Sequence, residues 1–267
     1  MCYVRGAMVD PGSLRTWKKV PFLRWSFLRM ALGRKRLLRS WQVGDGREER
    51  LARYVAAHAR QGDLGDVIRV IDQYAYDEAF LINVGDEKGV ILDAAVRRAA
   101  PRRVLELGTY CGYSALRVAR AAPEAHVFSV EFSAANADIA RRIFAHAGVS
   151  DRITVVVGTL GDGGRTLGRL RAEHGFDAGS LDFVFVDHDK SVYLSDVQLV
   201  LQAGWLRPGA IVLADNVKVP GAPDYHAFMR REEGRVFRTR EHETHLEYQA
   251  VFADLMLESE YLGPVSR

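Results

Sequence analysis

The chain has 267 residues, of which 48% are hydrophobic and 27% are charged. This composition is typical of a globular protein with a sizeable core, and it excludes a disordered or collagen-like chain. Two cysteines cannot build a disulfide framework or a zinc cage, and no apolar run approaches the roughly 20 residues that span a bilayer. We therefore expect a cytoplasmic globular protein, present as a monomer or a weak dimer.

The charge is distributed unevenly along the chain. Residues 1–43 contain ten basic residues and one acidic residue, a formal charge of +9, although the whole chain carries +3. Tryptophans are interleaved with these basic residues. Such a stretch can contact an anionic membrane surface, bind nucleic-acid phosphates or dock as an arm on the body, and these alternatives stay open. Nucleic acid is the least favoured of the three because no nucleic-acid-binding signature is present, so the function that we predict includes no nucleic-acid partner. We divide the chain into an N-terminal extension, residues 1–43, and one domain, residues 44–267.

The periodicity of the apolar residues predicts the elements of the domain in chain order. Three amphipathic segments, 46–59, 63–80 and 88–100, are typical of helices. Short runs of Val, Leu, Ile and Phe then alternate with helical segments; the strands are 102–108, 125–132, 152–158, 181–188 and 209–217, and the helices are 114–122, 136–148, 164–173 and 191–204. Continuous apolar strands are typical of parallel strands buried on both faces. The tail, 240–258, has the character of an antiparallel pair. The sequence therefore predicts a doubly wound α/β sheet.

A glycine-containing turn follows the first predicted strand. Gly108 and Gly112 are separated by three residues, whereas a dinucleotide-binding turn reads G-x-G-x-x-G. The wider spacing leaves more room for a nucleoside and its tail than for a pyrophosphate. Glu131 closes the next strand, 25 positions after Glu106, where an acid can accept both ribose hydroxyls. A solvated acid at an ordinary strand–turn–helix corner is the alternative, and we favour a nucleoside cofactor.

Acidic residues end two later strands. Asp187 follows the fourth strand, and Asp215 and Asn216 follow the fifth. Because ligands of open α/β sheets bind at the carboxyl ends of the strands, we expect these groups to converge. Carboxylate and amide oxygens are ligands suited to Mg²⁺, and Lys190 is near enough to take a proton from a hydroxyl bound there. The alternatives are a helix cap at Asp189 and a solvated charge at Lys190.

Six segments occur in the order of one known family. They are NVGDEKG (83–89), VLELGTYCGYSALRVAR (104–120), VEFS (130–133), VFVDHDK (184–190), LADNVKVPGAPD (213–224) and HLEY (245–248). Together they resemble the catechol O-methyltransferases, and the resemblance covers residues 44–262.

The resemblance implies a seven-stranded, mostly parallel, Rossmann-like sheet with helices on both faces. It also implies methyl transfer from S-adenosylmethionine to one hydroxyl of a small-molecule catechol, with Mg²⁺. It implies that Asp187, Asp215 and Asn216 bind the metal, that Lys190 is the general base, and that Glu247 binds the second hydroxyl. The cofactor contacts that it implies are Val84, Glu106, Tyr110, Ser114, Glu131 and His188, to which we add Gly108 of the turn.

The substrate groove departs from the family pattern. Pro220 matches a wall of the groove, but Phe80 and Asp189 stand where the animal enzymes have two tryptophans. A carboxylate at the mouth of the groove predicts a preference for cationic over acidic catechols. The alternatives are methyl transfer to another vicinal diol or phenol, a non-catalytic protein that binds S-adenosylmethionine, and a nicotinamide-dependent oxidoreductase.

Overall fold

The computed structural model describes residue 42 and residues 44–264. The N-terminal extension therefore lies outside the described residues except for Gln42, whose side-chain amide donates to Asn136 Oδ1 at 3.0 Å. The division at residue 43 and the role of the extension remain predictions. Within the described part of the chain, no helix is both long and apolar enough to cross a membrane.

The described residues form helices and strands in regular alternation after an initial helical region. The helices are α1 (Arg47–His58), α2 (Leu64–Asp77), α3 (Gly85–Ala99), α4 (Tyr113–Ala121), α5 (Ala134–Ala147), α6 (Arg165–His174), α7 (Tyr193–Gln202) and α8 (Pro223–Arg231). The strands are β1 (Arg103–Leu107), β2 (His126–Glu131), β3 (Ile153–Val157), β4 (Leu181–Val186), β5 (Leu206–Ala214), β6 (Phe237–His245) and β7 (Ala253–Tyr261). Short turns of helix cover Lys190–Val192 and Val217–Gly221.

The strands form one seven-stranded sheet in the order β3-β2-β1-β4-β5-β7-β6. The pairs from β3 to β5 are parallel, and β7 is antiparallel to both β5 and β6. The predicted doubly wound fold and its antiparallel tail are confirmed. The order reverses between β1 and β4, so the carboxyl ends of these two strands flank the crevice where such sheets bind ligands.

Two apolar layers cover the two faces of the sheet. In β4, Phe183 and Phe185 contact the layer that contains α1 to α5, and Val184 and Val186 contact the layer that contains α6 to α8. Alternate side chains of a strand point to opposite faces, so successive residues of β4 pack alternately into one layer and the other. This burial explains why the parallel strands are apolar throughout, and it holds their carboxyl ends in a fixed relation.

The helix ends follow from local side-chain chemistry. Asp63 caps α2 by accepting the backbone N–H of Asp66 at 2.9 Å, and Ser133 caps α5. Gly148 ends α5 in the left-handed conformation, at a φ of 73°, as its place after the helical segment predicts.

A carboxylate on α2 ties two distant segments together. Asp72 Oδ1 accepts the hydroxyl of Tyr113 on α4 at 2.6 Å and the hydroxyl of Tyr248 at 3.0 Å. Tyr248 lies in the loop between β6 and β7, beside Glu247. Burial raises the pKa of Asp72 to about 6, against the opposing effect of the Tyr113 hydroxyl.

We predict that Asp72 makes the protein less stable as pH rises from about 4 to about 7. The folded chain holds the Asp72 proton up to about pH 6, whereas an unfolded aspartate releases it near 3.9. Within this window the folded state binds more protons, so the free energy of unfolding falls with pH. Urea unfolding at a series of pH values should show that the free energy of unfolding falls less with pH in Asp72→Asn than in the parent chain. Asp151→Asn, at an exposed turn, is the control and should keep the parent slope; an unchanged slope in Asp72→Asn would contradict the prediction.

Candidate active site

The predicted site residues meet at the carboxyl edge of the sheet. Asp187 follows β4, and its backbone N–H donates to Leu107 of β1 at 2.9 Å. Asp215 follows β5, and its backbone N–H donates to Val186 of β4 at 3.0 Å. The parallel register therefore brings residues that are far apart in sequence to neighbouring positions.

Packing inside the protein requires both glycines of the turn after β1. A Cβ on Gly108 would lie 2.2 Å from the carbonyl oxygen of Asp187, and a Cβ on Gly112 would lie 2.3 Å from the ring of Phe144. Both residues also have positive φ, 101° and 87°. The turn thus lies directly against the segment that carries Asp187, which couples the expected cofactor pocket to the acidic residues.

Glu131 ends β2 and holds this turn in place. Its Oε2 accepts the backbone N–H groups of Thr109 at 3.1 Å and Tyr110 at 2.8 Å, and its Oε1 accepts that of Ser133 at 2.8 Å. Burial raises the pKa of Glu131, although these backbone hydrogen bonds oppose the rise. The side chain of Asn136 also hydrogen-bonds Glu131 and likewise opposes the rise in its pKa. A carboxylate has about four acceptor positions, so a ligand hydroxyl would share or replace one of these four hydrogen bonds.

Two buried polar atoms close to this turn have no hydrogen-bond partner among the described residues. They are Glu106 Oε1 and His188 Nδ1. Burial raises the pKa of Glu106 to about 8. An unpaired buried polar atom is costly by about 1–3 kcal/mol, so such atoms indicate a ligand that completes their hydrogen bonds. The Nε2 atom of His188 is fixed by Asp196 Oδ2 at 2.9 Å.

The other residues expected at the cofactor also lie on this edge. Val84 and Ser114 are buried at the starts of α3 and α4. Tyr110 is buried with a φ of 48°, and its hydroxyl donates to Glu48 Oε1 at 3.1 Å.

A second cluster surrounds the side chain of Lys88, which has an exposed fraction of 1%. Its Nζ lies 2.8 Å from Asp215 Oδ1, 2.7 Å from Glu247 Oε1 and 2.8 Å from Asp254 Oδ2. Burial alone would lower the pKa of Lys88, but the three carboxylates raise it well above its ordinary value. The ligand atoms of the three acids lie within 4.8 Å of one another and could hold a metal ion.

The two carboxylate oxygens of Asp215 have different surroundings. Oδ1 contacts Lys88 and accepts the backbone N–H of Asn216 at 2.7 Å, whereas Oδ2 is buried and has no partner among the described residues. Burial raises the pKa of Asp215 to about 8, although the charge of Lys88 opposes the rise. An uncompensated buried oxygen of this kind fits a position for a cation.

Lys190 is held at the same edge by two groups. Its Nζ donates to Asp187 Oδ1 at 2.9 Å and to the hydroxyl of Tyr193 at 2.7 Å. The Tyr193 hydroxyl in turn donates to the carbonyl oxygen of Asp215 at 3.1 Å. The predicted base is therefore connected to both strand ends through a buried tyrosine.

The residues expected at the substrate groove differ in their surroundings. Phe80 is buried and makes an edge contact with the ring of Tyr248, whereas Pro220 is exposed on the turn after β5. Asp189 is exposed, and its Oδ1 accepts the backbone N–H of Ser191 at 2.9 Å and its hydroxyl at 2.8 Å. Asp189 thus caps the short helical turn Lys190–Val192, as the alternative interpretation of this residue predicts.

Three residues of the site were missed in the sequence. Lys88 lies in a segment that carries the family resemblance, and it precedes Leu92 by one helical turn on the buried face of α3. A charged residue on an apolar helix face was the available signal. Asp254 is the second residue of β7, and Tyr193 follows Lys190 by three positions; neither carries a local signal of its own.

The sheet order is that of the Rossmann-like methyltransferase fold, and comparison with known proteins specifies the family. The O-methyltransferase family model matches residues 66–232. A probable O-methyltransferase of Mycobacterium tuberculosis is 62% identical over 234 residues, which are 88% of this chain and 100% of that relative. Catechol O-methyltransferase of Mus musculus is 39% identical over 225 residues, 84% of this chain and 82% of the relative. The chain therefore belongs to the O-methyltransferase family.

Solved structures have the same fold. The O-methyltransferase TomG of Streptomyces achromogenes, in complex with SAM, is 24% identical with a TM-score of 0.59, and the match covers 73% of this chain and 89% of that protein. An O-methyltransferase of Bacillus cereus, in complex with SAH, is 22% identical with a TM-score of 0.55, and the match covers 78% and 99%.

We predict that Gly108→Ala destabilises the protein more than a glycine substitution without a steric conflict. Gly163 is the matched control, because it also has positive φ, 77°, and nothing lies within 4 Å of an added Cβ. Backbone strain alone should cost about 1–2 kcal/mol at either position. The contact with Asp187 should raise the total for Gly108→Ala to about 3 kcal/mol or more. Urea unfolding measures both values, and equal losses would contradict the packing argument.

Proposed function

We propose that the chain transfers a methyl group from S-adenosylmethionine to one hydroxyl of a catechol, in a magnesium-dependent reaction. The acidic centre carries this proposal. Four carboxylates, those of Asp187, Asp215, Glu247 and Asp254, face the ammonium groups of two lysines, which leaves a formal charge of two negative. One divalent cation would balance that charge. The catechol O-methyltransferases at about 40% identity support the choice of substrate.

The proposed metal ligands are Asp187, Asp215 through Oδ2, and Asn216 through Oδ1. The side-chain amide of Asn216 donates to Glu247 and Asp254, both at 2.9 Å. These two hydrogen bonds fix the orientation of the amide and leave its oxygen as the remaining ligand atom. The set consists of oxygen atoms only, which suits Mg²⁺. Magnesium, when bound, supplies the positive charge that lowers the pKa of two neighbouring phenolic hydroxyls.

Lys190 and Glu247 are the proposed groups that handle the substrate hydroxyls. Lys190 Nζ first releases a proton to solvent and then, as a neutral amine, takes the proton of the hydroxyl that is methylated; Asp187 stabilises the ammonium that results. Glu247 Oε1 already accepts from Lys88 and Asn216. Its Oε2 has no hydrogen bond among the described residues, so it can accept the second hydroxyl. A sulfonium releases a neutral thioether, so no general acid is needed and positioning supplies much of the rate.

The other predicted residues have supporting roles in this proposal. Glu131 accepts a ribose hydroxyl, and the unpaired atoms of Glu106 and His188 complete the cofactor pocket. The remaining proposed cofactor contacts are Val84, Gly108, Tyr110 and Ser114. Phe80 and Pro220 border the catechol, and Asp189 lies at the mouth of the groove.

We predict that Lys190→Met lowers kcat by at least about 100-fold, the range of general base catalysis. The affinity for S-adenosylhomocysteine, measured by calorimetry, should stay near that of the parent chain. Lys190 contacts the acidic centre rather than the turn after β1. Lys218→Met is the control, since Lys218 is exposed on the turn after β5. Turnover of Lys190→Met near that of the control would remove Lys190 from the mechanism.

We also predict that methyl transfer requires both a divalent cation and two vicinal hydroxyls. A radiolabelled transfer assay with catechol should lose activity in EDTA and regain it when Mg²⁺ is added in excess. Phenol, which has a single hydroxyl, is the control substrate and should accept little or no label. Full activity in EDTA would contradict the metal, whereas equal labelling of phenol would contradict the substrate class.

A further inference from the structure

Lys88 is the least expected charged group of the site. It lies in the first turns of α3, on the buried side of the helix, and its ammonium is enclosed by protein. The three N–H bonds of an ammonium match three acceptors, and Asp215, Glu247 and Asp254 supply one oxygen each. The hydrogen-bonding capacity of the nitrogen is therefore filled by carboxylates alone.

Stability alone does not explain this contact, because burying the four charged groups costs hydration free energy. Each buried ion loses several kcal/mol of hydration, and a buried ion pair is often no more stabilising than apolar side chains of similar size. A function is therefore the better explanation for three carboxylates and an ammonium at this depth.

The geometry of the three acids indicates what that function is. Their ligand atoms lie within 4.8 Å of one another, close enough to bind a cation together. Asp215 belongs both to this triad, through Oδ1, and to the proposed magnesium site, through Oδ2. Without the ammonium, a metal ion would have two alternative positions, one on each side of Asp215.

We propose that Lys88 is a positioning residue that occupies the acidic triad as a built-in cation. It thereby excludes metal from Glu247 and Asp254 and confines the ion to the side of Asp187 and Asn216. The inference rests on the proposed magnesium-dependent function. Lys88 also holds Glu247 Oε1, so that Oε2 stays available for the substrate.

The same contact sets the orientation of Asn216. Its amide nitrogen donates to Glu247 and Asp254, two of the three acids that Lys88 holds. Asp254 is fixed further by the backbone N–H of Val219, which donates to its Oδ1 at 2.9 Å. Lys88 therefore acts on a proposed metal ligand through carboxylates that the metal itself does not contact.

The test is the binding of Mn²⁺, a spectroscopic substitute for Mg²⁺, to the full chain. Lys88→Met keeps an unbranched side chain and removes the charge. Mn²⁺ titration, followed by calorimetry and by the electron paramagnetic resonance of free Mn²⁺, should give one ion for the parent chain. Lys88→Met should bind a second ion, or one ion roughly tenfold more tightly or more, because the centre gains one negative charge. Lys218→Met, which removes an exposed lysine charge, should behave as the parent.

A double variant distinguishes the effect of the charge of the three acids from a general loss of folding. Lys88→Met with Asp254→Asn restores the formal charge of the centre, so binding should return to one ion with affinity near the parent's. If Lys88→Met is unfolded without metal, millimolar Mn²⁺ should restore folding because the ion takes the place of the ammonium, and the melting temperature should rise more than in the parent.

The outcomes are distinct. A parent chain that binds no Mn²⁺ rejects the metal site of the proposed function. A parent chain that binds one ion, with Lys88→Met binding the same number at the same affinity, overturns the role of Lys88 alone. Failure of Lys88→Met to fold even with millimolar Mn²⁺ also overturns it.

Discussion

Repulsion among buried carboxylates is the constraint on which the site depends. Asp187, Asp215, Glu247 and Asp254 meet at one edge of the sheet, where burial makes uncompensated charge costly. The protein compensates only part of this charge with its own lysines. The part left over is the electrostatic basis for the divalent cation that we propose.

The two lysines come from opposite layers of the fold. Lys88 lies on α3, in the layer with α1 to α5, and Lys190 lies in the turn that leads into α7, in the other layer. The charges on the edge of the sheet are therefore balanced from both faces. Because each lysine contacts acids at a strand end, correct packing of both layers is required before the site is electrostatically complete.

The turn of the proposed cofactor pocket packs directly against the backbone of the acidic centre. Gly108 allows the turn after β1 to contact the carbonyl of Asp187, and Glu131 holds the same turn from β2. The loop that carries Glu247 is tied to α2 through Tyr248 and Asp72. Rigid positioning of this kind is what a methyl transfer needs, since the reacting atoms must meet in line.

The sequence by itself determined the strands, their parallel arrangement, and the position of Asp187, Asp215 and Asn216 at strand ends, because apolar periodicity and the rules of parallel sheets are local or general properties. Family resemblance added Glu247. Only the tertiary structure decided which charges meet: Lys88 reaches Glu247 across 159 positions of the chain, and Asp254 has no local signal. It also decided that Gly108 is required by a contact with Asp187. Such pairings depend on how the helical layers pack on the sheet. In the sequence, a carboxylate that will be buried and paired looks the same as one that stays in solvent, because only the folded chain supplies its partner.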